Sequence, residues 1–270
     1  GQGVKLDSEI ILGSDSIKGK FSVSNPNFRN TDKSLKFALQ ASELDNYKTY
    51  GYKSNKTGFI IGTEFEYYDD LYLGLGTSNF IEKIETNSTA SAQQQSQQGD
   101  YWDSFLNLEF TYDKRDQKFQ TSSGFISRYT VDMPLISKTN TLKNYIDHSY
   151  YFDLFDKNVS SLSFYFESAN SLNNKNVKLS ERINLPARKL RGFQLGRVGP
   201  KDGDDYIGGN FAYSLNFSST IPQLFEESQN LDFLIFSDIA DIWGVDYSSN
   251  LNDSKVRSSI GIGLDWFSPI

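Results

Sequence analysis

Residues 105–112 read FLNLEFTY, and this stretch decides the fold class because apolar and polar side chains alternate along it. Leu106 and Leu108 fall on one side, while Asn107 and Glu109 fall on the other. Successive side chains point to opposite faces in a β-strand, so a period of two predicts a strand whose faces meet different surroundings. The apolar face is the one that a lipid bilayer would cover.

The same alternation recurs along most of the chain, as in 161–168 (SLSFYFES) and 260–266 (IGIGLDW). It predicts about twelve strands, near residues 3–13, 17–25, 34–44, 57–68, 71–83, 103–113, 124–135, 141–154, 159–169, 209–219, 230–242 and 256–267. The longer connections fall at every other junction, at 45–56, 84–102, 170–208 and 243–255. Alternate junctions of an up-and-down meander share one rim, so this asymmetry is typical of outer-membrane barrels with long extracellular loops.

Composition narrows the class of protein further. Hydrophobic residues make up 37% of the chain, aromatic residues make up 15%, and the mean hydropathy is −0.51. A soluble domain normally has more aliphatic residues for its core, and a disordered chain has few aromatics. With no run of about 18 apolar residues, the sequence predicts no membrane-spanning helix. A spanning strand needs only about 9 to 11 residues with alternate ones apolar, which agrees with these values.

Charge and cysteine content exclude other classes. The net charge of −7 argues against a nucleic-acid partner, because an acidic chain would not neutralise phosphates. The chain has no cysteine, so it cannot form disulfides or thiolate metal sites, and we expect neither a metal nor another cofactor. We therefore predict an all-β protein, an antiparallel up-and-down transmembrane β-barrel.

The connection 170–208 is the strongest candidate for a functional segment, since loops beyond about 12 to 15 residues are usually functional or disordered. Its apolar residues argue against disorder, and the cations between them indicate packing against an acidic surface. The apolar residues are Leu185, Pro186, Leu190, Phe193, Leu195 and Val198, and the cations are Arg188, Lys189, Arg191 and Arg197. In a barrel, the available acidic surface is the lumen wall, so we predict a loop folded into the lumen.

Two other features have structural interpretations. The segment 90–98 (ASAQQQSQQ) is a polar low-complexity tip that predicts a solvated surface loop. His148 is the only histidine and alternates with Ile146 and Tyr150 on the apolar face. We interpret it as a fitted side chain, because metal binding would need partners that it lacks.

Several short motifs occur together in the order of one known family. The central motif is Leu190-Arg191-Gly192-Phe193, followed by Gly199-Pro200-Lys201 and Gly208-Gly209-Asn210. The others are 24–28 (SNPNF), 112–116 (YDKRD) with 124–125 (GF), Asp238 with Trp243, and 265–269 (DWFSP). Together they resemble the bacterial surface antigen D15 family of outer-membrane assembly factors over nearly the whole chain. In that family the central motif lies in the sixth extracellular loop.

The resemblance implies that residues 1–270 are an outer-membrane barrel domain truncated at both ends. They would supply about twelve of the family's roughly sixteen strands, without the periplasmic domains that precede the barrel. Gly1 is not an initiator, and no basic segment followed by an apolar one comes after it. We therefore expect a mature or excised piece of a longer protein.

The resemblance also implies a site. In the family the loop arginine pairs with carboxylates on facing strands inside the barrel, a role that would fall to Arg191. Strand parity places Asp238 opposite the apolar Ile239 and therefore inward, so we expect Asp238 to pair with Arg191 and lock the loop. The family's second acid falls at Asn216, where an amide supplies no charge and the bond loses its charge-assisted character.

The implied function is non-enzymatic insertion and folding of β-barrel proteins in the outer membrane, through a lateral seam at which an incoming strand pairs. The expected partners are outer-membrane lipid, unfolded β-barrel clients and periplasmic lipoprotein subunits. Three alternatives stay open: a polypeptide-secreting or translocating barrel of the same superfamily, a passive porin, and a barrel enzyme. The enzyme is disfavoured because His148 lies on the wrong face for a base at the rim.

Overall fold

The computed structural model describes residues 3–13, 15–119, 121–155, 158–221, 231–252 and 254–266, without the side chains of residues 221, 265 and 266. Within these ranges most of the residues lie in β-strands. The strands are β1 (Lys5–Leu12), β2 (Ser16–Asn25), β3 (Ser34–Asn46), β4 (Tyr52–Tyr68), β5 (Leu71–Thr86), β6 (Gly99–Asp113), β7 (Gly124–Ile136), β8 (Thr141–Phe152), β9 (Ser160–Ser171), β10 (Lys201–Asp202), β11 (Asp205–Tyr206), β12 (Phe211–Ile221), β13 (Leu231–Trp243) and β14 (Arg257–Trp266).

Twelve of these strands form one sheet in the order β1-β2-β3-β4-β5-β6-β7-β8-β9-β12-β13-β14, and β10 and β11 form a separate hairpin. Every neighbouring pair in the large sheet is antiparallel. The predicted all-β, antiparallel, up-and-down meander is therefore confirmed, with β1 and β14 as its edges. In the described part of the chain no helix has the length and hydropathy needed to cross a membrane.

The two faces of the sheet differ as the alternation predicts. Ile260 and Ile262 on β14 are 87% and 70% exposed, and Phe110 on β6 is also exposed. On the opposite face, Ser214 and Asp238 are fully buried. A soluble sheet buries its apolar face, whereas this sheet exposes the apolar face and covers part of the polar one. We call these the apolar face and the polar face.

One predicted loop, at 45–56, is shorter than expected. β3 and β4 continue into it and leave only residues 47–51, which hold the short helix α1 (Tyr47–Tyr50). Lys53 of β4 contacts Glu43 at 2.6 Å and Asp45 at 3.3 Å on β3, and these charged side chains replace apolar ones on the apolar face. The hydrophobic pattern therefore ends before the backbone pairing does, which is why the prediction stopped early.

The tip at 90–98 is also different from the prediction. It contains a helix, α2 (Ala92–Gln95), with a capping box between Ser91 and Gln94. Gln94 is 0% exposed, and its amide donates to the carbonyl of Tyr50 at 3.2 Å. The Ser91 hydroxyl donates to Asp202 of β10 at 2.5 Å. The tip is therefore docked on neighbouring loops, which its polar composition could not indicate.

The main apolar core lies between the long connection that joins β9 to β12 and the polar face of the sheet. It is built from Tyr165, Ala169, Val177, Ile183, Leu185, Leu190, Val198, Ala212, Ala240 and Ile242. Half of these residues come from the connection, residues 172–210, which we call the long loop. Burial of its apolar side chains holds the long loop on β9, β12 and β13, at about 1.5 to 3 kcal/mol per large aliphatic side chain.

Candidate functional site

The local fold of the long loop sets the position of Arg191. A single 3-10 turn, Ala187–Lys189, precedes it, and the side chain of Leu190 is buried in the main core. Gly192 follows with a φ of 85°, a left-handed conformation that favours glycine. The chain therefore turns sharply after Arg191, and the buried Leu190 fixes the direction in which the arginine leaves the loop.

Arg191 and Asp238 form a three-bond contact between the long loop and β13. The backbone N–H and Nε of Arg191 donate to Asp238 Oδ2 at 2.9 and 2.8 Å, and Nη2 donates to Oδ1 at 2.6 Å. Asp238 is 0% exposed, whereas the Arg191 side chain is 25% exposed. Bidentate pairing between a guanidinium and a carboxylate is the strongest geometry available to an ion pair. We call this contact the Arg191 anchor.

Asn216 completes the contact from β12, where it pairs directly with Asp238 in the sheet register. Its amide nitrogen donates to Asp238 Oδ1 at 2.8 Å and to the carbonyl of Lys189 at 2.9 Å. Its amide oxygen accepts from the Ser214 hydroxyl at 2.9 Å. The amide thus binds both the acid and the loop backbone, a combination that an ionised carboxylate could not make because it only accepts.

The remaining donors of Arg191 also have partners. Nη1 donates to the Ser218 hydroxyl at 3.1 Å, and Nη2 donates to the carbonyl of Phe217 at 3.4 Å. The guanidinium carbon lies 3.9 Å from the centre of the Phe236 ring. A cation stacked on an aromatic face in a partly desolvated site is stabilised by about 1 to 2 kcal/mol. Sequence reasoning missed Ser218 and Phe236, although both share the polar face with Asp238.

The other motif residues shape the loop rather than bond to Arg191. Phe193 is partly buried and packs against the main core. Gly199 has a φ of 102°, and a Cβ there would lie 3.0 Å from the Cβ of Ile242, so the motif requires glycine at this close approach. Pro200 is fully buried, and Lys201 is exposed with its ammonium 4.4 Å from the centre of the Tyr206 ring.

A second charged contact, which the sequence did not predict, holds the other part of the loop. Lys178 is 1% exposed and its ammonium meets Glu82 at 2.7 Å, Asp103, and Glu181 at 3.8 Å. It also lies 4.8 Å from the centre of the Tyr101 ring. Glu82 and Asp103 belong to β5 and β6, far from β13 in the sheet. We call this contact the Lys178 anchor.

Hydroxyl groups hold two of the three acids of the Lys178 anchor in place. The hydroxyls of Ser54 and Ser180 donate to Glu82 at 2.5 and 3.0 Å. The hydroxyls of Thr139 and Thr141 donate to Glu181 at 3.2 and 2.6 Å. Burial is the largest single influence on Lys178 and would lower its pKa. The surrounding carboxylates outweigh burial and raise the pKa above its ordinary value, so the lysine stays charged.

Two more cations of the long loop are buried. Arg182 has a 0% exposed side chain, donates to Asn210 at 2.9 Å and forms an ion pair with Asp246. Lys189 donates to Asp147 of β8 at 2.7 Å. The predicted packing of cations against acids is therefore present for two of the four cations named from the sequence, Lys189 and Arg191. The other two, Arg188 and Arg197, are exposed.

His148 forms a local contact on the apolar face. Its Nδ1 lies 2.7 Å from the hydroxyl of Ser127 on β7, and its ring lies 5.9 Å from that of Phe125. This arrangement fits the interpretation of His148 as a packed side chain, and it lies on the opposite face from both anchors.

These features define a class of protein. A large antiparallel meander with an exposed apolar face, and a long loop bound to its polar face, has the properties of a transmembrane β-barrel. An Omp85 superfamily domain matches residues 1–270, and the chain belongs to this superfamily. The predicted outer-membrane location is thereby confirmed.

Two curated relatives and one crystal structure are similar to the chain. The outer membrane protein assembly factor BamA of Neorickettsia risticii (strain Illinois) is 26% identical over 226 residues, 81% of this chain and 30% of its own length. A SAM50-like protein of Schizosaccharomyces pombe is 27% identical over 222 residues, 75% of this chain and 46% of its own length. The chain thus spans less than half the length of either relative.

The crystal structure is that of BamA from Haemophilus ducreyi lacking POTRA domains 1–3. It covers 100% of this chain and 59% of its own, with a TM-score of 0.85 and 22% sequence identity. This likeness shows that the two chains share a fold. The resemblance deduced from the motifs is confirmed by the superfamily match together with these relatives.

Proposed function

We propose that this chain is the barrel of an outer-membrane protein assembly factor, which inserts and folds other β-barrel proteins without catalysing a covalent reaction. The observation that carries the proposal is the Arg191 anchor, a long loop bonded to the polar face of an Omp85 barrel. The function named for the bacterial relative, outer-membrane protein assembly, supports it.

In the proposed mechanism the long loop braces the wall of the barrel from inside the lumen. Its cations bond to acids on β5, β6, β8 and β13. These ion pairs tie the strands from β5 to β13 into one unit, and none of the four involves β1 or β14. Strands near the seam could then separate while the braced wall keeps its shape.

At the open seam an incoming strand would add to the unpaired backbone groups by β-augmentation. No nucleotide is needed, because the client's own strands close and bury apolar side chains in lipid. The partners in this scheme are unfolded β-barrel clients, outer-membrane lipid and periplasmic lipoprotein subunits.

The test removes the carboxylate of the Arg191 anchor in the full-length gene product. Asp238→Ala leaves the guanidinium without its partner, and breaking a buried pair costs about 3 to 5 kcal/mol. Arg191 retains some contact with solvent, so we expect a loss of about 2 to 3 kcal/mol in unfolding free energy. The measurements are the unfolding midpoint in detergent and the amount of folded client barrels in the outer membrane.

Asp232→Ala is the matched control, because Asp232 lies on the same strand and face but outside the anchor. We expect the control to keep both stability and client assembly. Normal client levels in Asp238→Ala cells, despite a weakened loop contact, would refute the proposed function. Loss of polypeptide export with unchanged barrel content would instead identify a translocating barrel.

A further inference from the structure

The edge strand β14 lies against the residue that stacks on Arg191. Phe236 of β13 pairs with Gly261 of β14 in the sheet register. A Cβ placed on Gly261 would lie 2.5 Å from Cζ and 2.8 Å from Cε1 of the Phe236 ring. Side-chain atoms essentially never approach this closely, so the ring occupies the space that the glycine leaves.

The Phe236 ring cannot move freely, because it is also in contact with the Arg191 anchor. Its centre lies 3.9 Å from the guanidinium carbon of Arg191. The next residue of the loop also lies near β14, since a Cβ on Gly192 would lie 4.0 Å from the Cβ of Ser259. A change in the position of β14 would therefore reach Arg191 through Phe236.

A neighbouring glycine shows that this tight fit is local. Gly263 lies on the same strand and face, two residues further on, opposite Leu234. A Cβ on Gly263 would meet Leu234 Cδ2 at 3.7 Å, which is an ordinary van der Waals contact. β14 thus tolerates a methyl group at Gly263 but not at Gly261.

We infer that Gly261 is a positioning residue for the Arg191 anchor: it admits the Phe236 ring that orients the guanidinium, and so couples the edge strand β14 to the long loop. The inference rests on the proposed function in one respect, namely that the Arg191 anchor holds the long loop on the polar face. It implies that displacement of β14 loosens the loop, and that release of the loop frees β14.

The experiment measures opening of the long loop in the membrane-embedded protein by limited trypsin digestion. Arg188 and Arg197 are exposed cleavage sites on either side of the anchor. Overpacking costs enough that we expect Gly261→Ala to speed cleavage about tenfold. Gly263→Ala is the matched control and should change the rate less than about twofold.

A double-mutant cycle separates positioning from general destabilisation. If Gly261 acts through the anchor, Gly261→Ala should add little once Arg191→Gln has already freed the loop. Phe236→Leu should restore the unfolding midpoint of Gly261→Ala, because the shorter side chain leaves room for the methyl group, but it should not restore slow cleavage, because leucine cannot stack on the guanidinium. Equal effects in the Arg191 and Arg191→Gln backgrounds, or slow cleavage in Gly261→Ala combined with Phe236→Leu, would overturn the inference.

This result is independent of the assembly assay. If the effects in the cycle are additive but Asp238→Ala still loses client assembly, the role of Gly261 is rejected and the proposed function stands. Non-additive effects, with client assembly unaffected by Asp238→Ala, would keep the role of Gly261 and reject the function.

Discussion

The Arg191 and Lys178 anchors hold two parts of one loop with different chemistry. Arg191 presents a planar guanidinium to a single carboxylate, stacks on Phe236 and stays 25% exposed. Lys178 places a point charge among three carboxylates and is 1% exposed. An arginine gains most from geometry and a lysine gains most from nearby charge. We therefore expect the Lys178 anchor to be harder to break than the Arg191 anchor.

The largest expected effect is at the Lys178 anchor. Lys178→Met keeps the length of the side chain but removes the ammonium that contacts the buried Glu82 and Asp103. We expect the free energy of unfolding to fall by about 3 to 5 kcal/mol, measured by denaturant titration in detergent. Lys175→Met is the control, since Lys175 is exposed on the same loop and should change stability by less than about 0.5 kcal/mol.

If Lys178→Met lowered the free energy of unfolding by less than Asp238→Ala does, the Arg191 anchor would be the stronger of the two. The pH dependence gives a further check on Lys178. Because the pKa of Lys178 is raised above 10.5, its stabilisation is complete below that pH and is lost only as pH rises through the higher folded value. The stability gap between wild type and Lys178→Met should therefore stay constant from about pH 7 to about pH 10.

An intermediate effect is expected when Arg191 is replaced by the other cation. Arg191→Lys keeps the charge but cannot make the paired bonds to Asp238 or stack as a plane on Phe236. We expect a loss of about 1 to 2 kcal/mol in the same titration. Arg197→Lys, at an exposed arginine of the same loop, provides the control. Full stability in Arg191→Lys would mean that charge alone holds this anchor, as it does at Lys178.

The smallest effect concerns the departure from the family pattern. Asn216→Asp introduces the acid that the motif resemblance implies at this position, yet the new carboxylate would face Asp238 Oδ1 and the Lys189 carbonyl as a third acceptor. We expect a loss of about 1 kcal/mol at neutral pH, which narrows in acid as the carboxyl gains a proton to donate. A gain in stability at neutral pH would show that the amide is a weaker substitute for the acid.

Much of the fold could be predicted because each strand carries its own evidence. The alternation at 105–112 and 260–266 depends only on which face of the strand meets lipid, so each strand can be predicted from its own residues. The Arg191 anchor could be predicted because a motif marks the arginine and strand parity orients Asp238. Both are local signals.

The rest depends on partners that are distant in sequence. Lys178 has no motif, and Glu82 and Asp103 come from strands that give no sign of facing it. Gln94 is polar and sits in a low-complexity segment, but its burial follows from the capping box and the docking of α2 on the neighbouring loops. Phe236 belongs to the polar face by parity and is aromatic, which obscured its contact with Arg191.

The most direct test of the account is a disulfide between the long loop and β14. The chain has no native cysteine, and Cβ atoms at Gly192 and Ser259 would lie 4.0 Å apart, within the usual range of about 3.5 to 4.5 Å for a disulfide. We predict that Gly192→Cys with Ser259→Cys forms a cross-link under mild oxidation in the outer membrane. A cysteine in the left-handed conformation of Gly192 costs about 1 to 3 kcal/mol, and the control pair carries the same cost. Gly192→Cys with Ser258→Cys, on the opposite face, should not. The variant must be folded for the test to count. If its 192–259 pair then stays reduced, or cross-links no better than the 192–258 pair, the claim that the long loop is anchored against the polar face is contradicted.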